Sequence, residues 1–155
     1  MSTVHSIDAH RENAEIYHGA ELCSKKSIEL LEQIHLPRGL LPLNELEEVG
    51  HNHETGFVWL KQKKRTDHTF KKIGRLVSYA PEVTAFVEDG RMKKITGVKS
   101  KEILIWVTLC DMYIDDHASG KITFKTPAGL SRSFPVSAFE LEGEEKEKEK
   151  KEQKN

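Results

Sequence analysis

The sequence predicts an α+β fold that is predominantly β, with a long N-terminal amphipathic helix packed on a curved antiparallel sheet or partly closed barrel. Apolar residues recur at helical spacing from Ala9 to Ile34. After residue 56 the apolar period changes to two, which is typical of strands. The turns between the later strands are short, and short turns favour antiparallel neighbours. A chain of 155 residues has the length of one domain.

The helix is the first predicted element. Asp8 can cap its start, and Pro37 and Gly39 stop it. Gly19 weakens its middle by about 1 kcal/mol relative to alanine. We expect the helix to pack on the sheet through one stripe, which consists of Ile16, Ala20, Cys23, Ser27, Leu30, Leu31 and Ile34.

A stiff connector follows the helix. The segment from Leu36 to Leu43 holds two prolines and four leucines, so we expect an extended chain that is pinned by its leucines. Asn44 to Val49 is predicted to form a short helical turn, and Gly50 to Gly56 a polar loop.

Six or seven strands are predicted beyond residue 56. Asp89-Gly90 is a strong signal for a hairpin turn. The run from Ile103 to Ile114 is apolar on both of its faces over most of its length, which predicts a central strand covered on both sides. The predicted strands are Phe57–Leu60, Leu76–Tyr79, Val83–Glu88, Arg91–Thr96, Ile103–Ile114, Lys121–Thr126 and Leu130–Phe134, with a last piece at Val136–Leu141.

Charge and composition divide the chain into three parts. We expect a flexible N-terminus at 1–8, a single domain at 9–141 and a charged, disordered tail at 142–155. The chain has a formal net charge of −1, and the tail holds six Glu and five Lys, so the rest of the chain is neutral. We therefore expect no nucleic-acid partner, because such partners are bound through phosphate neutralisation. We expect a monomer.

No membrane span is predicted, because the longest apolar stretch, Ile103 to Val107, has only five residues. Basic residues do gather between positions 61 and 75. We interpret them as a solvated face, and the alternative is weak association with anionic headgroups or an acidic ligand. They are Lys61, Lys63, Lys64, Arg65, Lys71, Lys72 and Arg75.

Few side chains have the spacing of a chemical site. His51, His53 and Glu54 could supply metal ligands, but we interpret them as residues of an exposed loop and expect no metal. Asp115 to His117 is predicted to be a hairpin turn. Asp111 could act as an acid or base if it were buried, and we expect it instead to be hydrated or paired with a lysine near a strand end. We assign no catalytic residue and no cofactor.

The two cysteines give no disulfide framework. We expect Cys23 and Cys110 to be small buried apolar residues. The first ten residues lack the apolar stretch of a signal peptide, so an intracellular, cytoplasmic location with reduced thiols is expected.

Aromatic side chains are frequent in the strand region. A curved sheet lined by such groups can leave an apolar cavity, although its own side chains can equally fill the space. We therefore expect a non-enzymatic binding module for a lipophilic or amphipathic small molecule, held between helix and sheet. The expected lining residues are Leu30, Ile34, Trp59, Phe86, Trp106, Met112 and Phe124.

The connector and the later strands also carry a familiar order of segments. Leu36 to Pro42 is similar to the signature Leu-Pro-x-Gly-Leu-Leu-Pro of the plant family DUF538. The resemblance covers residues 14–140. The other matching pieces are Tyr79, Val83, Gly90, Ile95–Lys99, Trp106-Val107, Gly120–Phe124 and Ser133–Phe139.

The resemblance implies a plant protein with one helix-plus-antiparallel-β domain and no established biochemical role. A likeness of the family to lipid-binding bactericidal/permeability-increasing proteins has been proposed, as has an esterase-like action on chlorophyll. Neither supplies a residue motif that transfers to this chain. The alternatives to small-molecule binding are thus an ester hydrolase with a lipophilic substrate and a protein-interaction domain that uses an exposed strand edge.

Overall fold

A computed structural model describes residues 6–141, and its main feature is one open antiparallel sheet of ten strands. Residues 1–5 and the predicted tail at 142–155 lie outside the described residues. Short 3-10 helices occur at His117–Ser119 and Val136–Phe139. The other elements are α1 (Ile7–His10), β1 (Glu15–His18), α2 (Ala20–Gln33), β2 (Leu46–Asn52), β3 (Phe57–Gln62), β4 (Thr66–Phe70), β5 (Arg75–Glu88), β6 (Arg91–Glu102), β7 (Ile105–Thr108), β8 (Asp111–Tyr113), β9 (Lys121–Lys125) and β10 (Ser131–Pro135).

The sheet follows the order β1-β2-β3-β5-β6-β8-β9-β10. β4 pairs with the start of β5, and β7 pairs with the end of β6. Within residues 6–141, β1 and β10 are the two ends of this path and do not pair with each other, so the predicted partly closed barrel is wrong. Both end strands are short, and Pro135 in β10 has no N–H to donate; such edges resist further pairing.

The predicted long N-terminal helix from Ala9 to Ile34 is also wrong, because only α2 forms a helix of that kind and it has 14 residues. Asn13 and Gly19 have φ angles of 66° and 94°, which interrupt a right-handed helix on either side of β1. β1 pairs instead with β2, with Ile16 opposite Gly50. The helical spacing is correct within α2, where the buried residues are Cys23, Ser27, Leu30 and Leu31.

Two other predicted elements change type or length. β2 replaces most of the short helical turn predicted at Asn44–Val49, and it continues through Asn52 into the segment Gly50–Gly56 that was predicted to be a polar loop. β5 continues through Pro81 and joins two predicted strands, with an irregular register against β6 between Tyr79 and Thr84. A bulge of this kind is a position where a strand tolerates proline.

The predicted central strand from Ile103 to Ile114 is wrong as well. Ile103 and Leu104 form a two-residue turn between β6 and β7, in which Glu102 pairs with Ile105. Ile103 has a φ of 53°, as the first position of the favoured two-residue hairpin turns requires. The chain is interrupted again between Thr108 and Asp111.

The main core lies on one face of the sheet, here called the inner face. α2 packs on β1 and β2, and its buried stripe covers one end of this face. The connector covers the middle: the Tyr79 hydroxyl donates to the Leu40 carbonyl at 2.8 Å, and the Gly39 N–H donates to the Phe139 carbonyl at 2.8 Å. Leu36, Leu40, Leu41 and Leu43 are all buried, as predicted for the connector.

The opposite, outer face is covered by residues 6–18. Ile7, which falls within the predicted flexible N-terminus, is buried in a cluster with Phe57 and Trp59. The His10 ring stacks on Phe57 with 4.1 Å between centroids. The Asn52 amide donates to the His10 carbonyl at 3.0 Å. The N-terminal segment is therefore part of the folded structure from Ser6 onward.

Glu48 fastens this segment to the sheet. Its carboxylate accepts hydrogen bonds from Arg11 at 2.9 Å and from the Trp59 indole N–H at 2.8 Å, and His18 Nε2 lies 2.9 Å away. Burial alone would raise the pKa of Glu48, but the hydrogen bonds from Arg11, Trp59 and His18 outweigh it and lower the pKa to about 2. Glu48 is thus a charged group that joins two segments far apart in sequence.

Gly50 makes room for the indole that reaches Glu48. It lies opposite Trp59 in the β2–β3 register, and a Cβ at this position would overlap the Trp59 ring. Trp59 is fully buried, so the ring cannot move aside into solvent. This position requires glycine for lack of space.

We predict that Glu48→Gln lowers the free energy of unfolding at pH 7 by about 2 kcal/mol. Because the folded-state pKa lies below the ordinary value, the stabilisation is present above about pH 4.5 and is lost as the pH falls towards 2. The difference between wild type and variant in urea unfolding should therefore shrink across that window. Glu32→Gln, at an exposed carboxylate paired with Arg38, is the control and should cost less than 1 kcal/mol. A difference that does not depend on pH would contradict the assignment.

We predict that Gly50→Ala costs about 3 kcal/mol, because the added methyl group meets the immobile Trp59 ring. Gly120→Ala is the matched control, since Gly120 has a φ of 68° and open space around it, so only the backbone cost of about 1 kcal/mol is expected. Urea unfolding of both variants measures the difference, and equal costs would contradict the packing argument.

Candidate functional site

The inner face of the sheet continues beyond the core as an open groove of about 440 Å³. This volume lies within the range of small-molecule sites. The groove is bounded by β6 and β7 on one side and by β9 and β10 on the other. Its lining residues are Ser100, Glu102, Ile105, Val107, Leu109, Phe124, Thr126, Leu130, Ser131, Arg132 and Phe134.

The strand lengths create this groove. On one side of the groove, β9 ends at Lys125, which pairs with Asp111. On the other side, the hairpin of β6 and β7 extends past this point to the turn at 103–104. Ile105, Val107 and Leu109 alternate along the strand, so they share one face and line the groove. The turn after β9 closes through a hydrogen bond from the Thr126 N–H to the Leu130 carbonyl at 2.9 Å, and Leu130 reaches the groove from the opposite side.

The groove is apolar at its base and open at its mouth. Phe124 and Leu109 are buried and connect the base to the main core. The Phe134 ring packs edge-on against Phe124, with 5.2 Å between centroids. Ile105 and Leu130 are exposed at the mouth. An apolar chain could therefore enter without displacing the core.

The polar part of the groove is an ion-pair cluster. Glu102 lies 2.8 Å from Arg75 and 2.9 Å from Arg132, so two cations share one carboxylate. Burial raises the pKa of Glu102, but the hydrogen bond and charge of Arg75, together with Arg132, lower it overall. The Arg132 side chain is 61% exposed and can turn towards a ligand, which leaves a positive excess beside an apolar cleft.

Of the residues expected to line a ligand site, Phe124 lines the groove. Leu30, Ile34 and Met112 are buried in the main core, which fills the space between α2 and the sheet. The other three do not line the groove. Trp59 and Phe86 belong to the outer-face cluster, and Trp106, although it is on β7, is partly exposed and is not among the lining residues. The structure does not bring the seven residues together.

The groove residues that the sequence did not reveal are mainly its charged and exposed ones. Arg75, Glu102 and Arg132 are far apart in sequence, so no local spacing connects them. Ile105 and Val107 were assigned to a covered strand. Their position in the same groove as Leu130, from the turn after β9, depends on where each strand ends, and no local sequence pattern determines that point.

His51, at the end of β2, and the nearby His53 form a weaker candidate site. The His51 and His53 rings stack with 3.8 Å between centroids, and His53 Nε2 lies 3.4 Å from a Glu15 oxygen. Burial, together with the neighbouring His53, lowers the pKa of His51. Within residues 6–141 no group of three potential ligands is close enough to hold a metal ion.

The remaining candidate groups have structural roles. Asp111 lies 3.3 Å from Arg91, so its partner is an arginine. Asp116 accepts a hydrogen bond from the Ala118 N–H within the predicted turn. Burial raises the pKa of both the Cys23 and the Cys110 thiols, which disfavours a reactive thiolate.

Comparisons with known proteins concern the part of the chain that holds this groove. The family model described as "Protein of unknown function, DUF538" matches residues 27–140. No curated protein and no solved structure matches the chain. None of the described helices is long and apolar enough to cross a membrane. The family match confirms the resemblance found in the sequence and covers most of the chain, from within α2 to just beyond the 3-10 helix at Val136–Phe139, so the chain belongs to the DUF538 family.

Proposed function

We propose that the protein binds an amphipathic small molecule, with an apolar chain and an anionic head, in the groove between β6–β7 and β9–β10. The observation that carries this proposal is the continuation of the apolar inner face past the core into an open cleft beside two arginines. Small-molecule sites commonly combine a mostly apolar lining with a few convergent polar groups.

The head of the ligand is expected to be a carboxylate or a similar anion. Arg75 and Arg132 both contact Glu102, which neutralises only one of them. Arg75 is held in place by its second contact, with 5.4 Å between its guanidinium and the Phe134 ring. Guanidinium groups bind carboxylates through paired hydrogen bonds, so Arg132 supplies the adjustable contact and Arg75 the fixed charge.

Binding without turnover fits the groove better than ester hydrolysis. The described lining residues include Ser100 and Ser131 but no histidine or cysteine. A serine nucleophile needs an adjacent base to be activated. Glu102 is a weak base because its pKa is lowered by its arginine partners. The groove therefore offers no feature that favours the hydrolase alternative.

Filling the groove should strongly weaken the binding of a fluorescent fatty acid such as cis-parinaric acid. We predict that Val107→Trp, which fills the groove, weakens binding by at least about tenfold in a fluorescence titration. Thr108→Trp adds the same bulk to the exposed opposite face of β7 and should leave the affinity within about twofold of wild type. Equal affinities of the two variants would contradict the proposed site, as would absence of saturable binding to wild type.

Removal of the Arg132 charge should weaken the binding of the fatty acid but not the binding of its neutral ester. We predict that Arg132→Gln reduces affinity for the fatty acid by about fivefold to tenfold, as expected for a charge-assisted hydrogen bond, and leaves affinity for its methyl ester unchanged. Arg65→Gln is the control, because Arg65 is 64% exposed and pairs with Asp67 away from the groove. An equal loss for acid and ester would contradict the assignment of the head to Arg132.

A further inference from the structure

The turn between β6 and β7 presents two large aliphatic side chains to solvent. Ile103 is 90% exposed and Leu104 is 86% exposed, and the next two residues of the chain, Ile105 and Trp106, are exposed as well. Single exposed apolar residues are ordinary, but a contiguous patch at a projecting position marks an interaction surface.

The backbone of this turn makes the choice of residue unusual. Ile103 has a φ of 53°, a conformation that glycine and asparagine adopt readily and that β-branched residues rarely adopt. The turn therefore accepts local strain while its aliphatic side chain gains no burial. Burial of these side chains in an apolar environment outside the chain would offset the free-energy cost of the strained turn.

Two other turns lie at the same end of the sheet. The Arg75 guanidinium, at the start of β5, donates to the Lys101 carbonyl at 3.4 Å, so the turn before β5 lies at the same end of the sheet as the β6–β7 turn. Lys71 and Lys72 of that turn are exposed, and the Lys72 ammonium donates to the Ser137 carbonyl at 3.4 Å. Leu130 of the β9–β10 turn lies across the groove from Ile105. We call this set the tip surface; it consists of Lys71, Lys72, Lys101, Ile103, Leu104 and Leu130.

We propose that the tip surface docks on an anionic lipid bilayer, with Ile103 and Leu104 entering the headgroup region. Lysines flank the aliphatic centre. Of the carboxylates on this side of the sheet, Glu102 is already paired with Arg75 and Arg132, and Glu140 lies beside Lys71 and Lys72. Basic residues beside an apolar insertion are attracted by the negative potential of such a membrane. Trp106 lies just behind the turn with Lys101 over its ring at 5.6 Å, and an indole at this depth suits the membrane interface.

Charge favours a bilayer over a second copy of the chain as the occupant of this surface. In a two-fold pair the same patch meets itself, so Lys71 and Lys101 of one copy would face the cations of the other. Like charges brought together at an interface oppose association. An anionic bilayer offers negative charge to the lysines and an apolar layer to the aliphatic turn.

Docking would also bring the mouth of the groove close to the bilayer. Ile105 and Leu130 belong to the mouth of the groove and lie at the same end as the tip surface. An amphipathic molecule could then move between bilayer and groove without crossing water. Docking itself does not require a ligand in the groove, so the two proposals can fail separately.

The insertion is tested with vesicles of phosphatidylcholine, with and without phosphatidylserine. We expect wild type to co-sediment with the vesicles that contain phosphatidylserine. Ile103→Ser combined with Leu104→Ser should weaken this binding at least tenfold, and both positions are so exposed that the fold is expected to be retained. Leu22→Ser, at a 42% exposed leucine of α2, is the control and should bind as wild type does. Fluorescence of the buried Trp59 reports that each variant is folded.

Tryptophan fluorescence gives an independent measure of depth. The chain has two tryptophans, of which Trp59 is fully buried and Trp106 is exposed. We expect a blue shift on vesicle binding and quenching by brominated lipid, both of which Trp106→Phe should remove. Vesicle binding by wild type without either signal would overturn the proposed orientation.

The electrostatic part is tested by charge reversal. Lys71→Glu combined with Lys101→Glu should abolish binding to anionic vesicles, while Lys25→Glu combined with Lys121→Glu, at exposed lysines elsewhere, should reduce it less than twofold. Equal binding of both pairs, or equal binding of wild type to vesicles with and without phosphatidylserine, would overturn the proposal. So would a dimer in sedimentation equilibrium that the Ile103→Ser, Leu104→Ser variant converts to a monomer. Val107→Trp should still bind vesicles, which separates a failure of the groove from a failure of docking.

Discussion

A single short helix cannot cover a sheet built on such a long hairpin. β5 has 14 residues and spans about 46 Å at the rise of an extended strand, whereas α2, also with 14 residues, spans about 21 Å. α2 therefore covers the end of the inner face near β1 and β2, and the leucines of the connector cover the middle. No element within residues 6–141 buries the rest of the inner face, which becomes the groove between β6–β7 and β9–β10.

The two faces of the sheet are consequently stabilised in different ways. The inner face is held by aliphatic burial and by the hydrogen bonds that tie Gly39 and Tyr79 to neighbouring segments. The outer face depends on one carboxylate, since Glu48 joins Trp59 of the sheet to Arg11 and His18 of the N-terminal segment. A buried carboxylate with charged partners loses much of its stabilising effect if one partner is removed. The stability of the outer face thus depends on the charge of Glu48 and decreases in acid.

Local signals sufficed for part of the fold. The Asp89-Gly90 turn, the strands β3 and β9, and the burial of the connector's four leucines all follow from residue type and period, and the structure has them. The connector is not extended throughout, because it turns at Pro37–Leu40, where the Leu40 N–H donates to the Pro37 carbonyl. The N-terminal helix failed because the helical stripe of α2 continues by coincidence through Ile16, while Asn13 and Gly19 take left-handed backbone angles. Residues 15–18 form a strand because they pair with β2, and the local sequence alone does not reveal this pairing.

The candidate site was harder to predict for a related reason. Phe124 was identified because an alternating strand places it inward, and it does line the groove. The turn at Ile103 and Leu104 lacks the glycine or asparagine that normally signals one, so an apolar run looked like one buried strand. Arg75, Glu102 and Arg132 meet only because β5, β6 and β10 end near one another, which depends on strand register over the whole sheet.

The folding unit is wider than the segment by which the family is recognised. The family model begins at residue 27, within α2, whereas the cover of Phe57 and Trp59 comes from residues 6–18. A fragment trimmed to the matched segment would carry a bare aromatic surface on one side and Glu48 without Arg11 or His18. Poor solubility of such a fragment would reflect where it was cut, and would say nothing about the strength of the remaining fold.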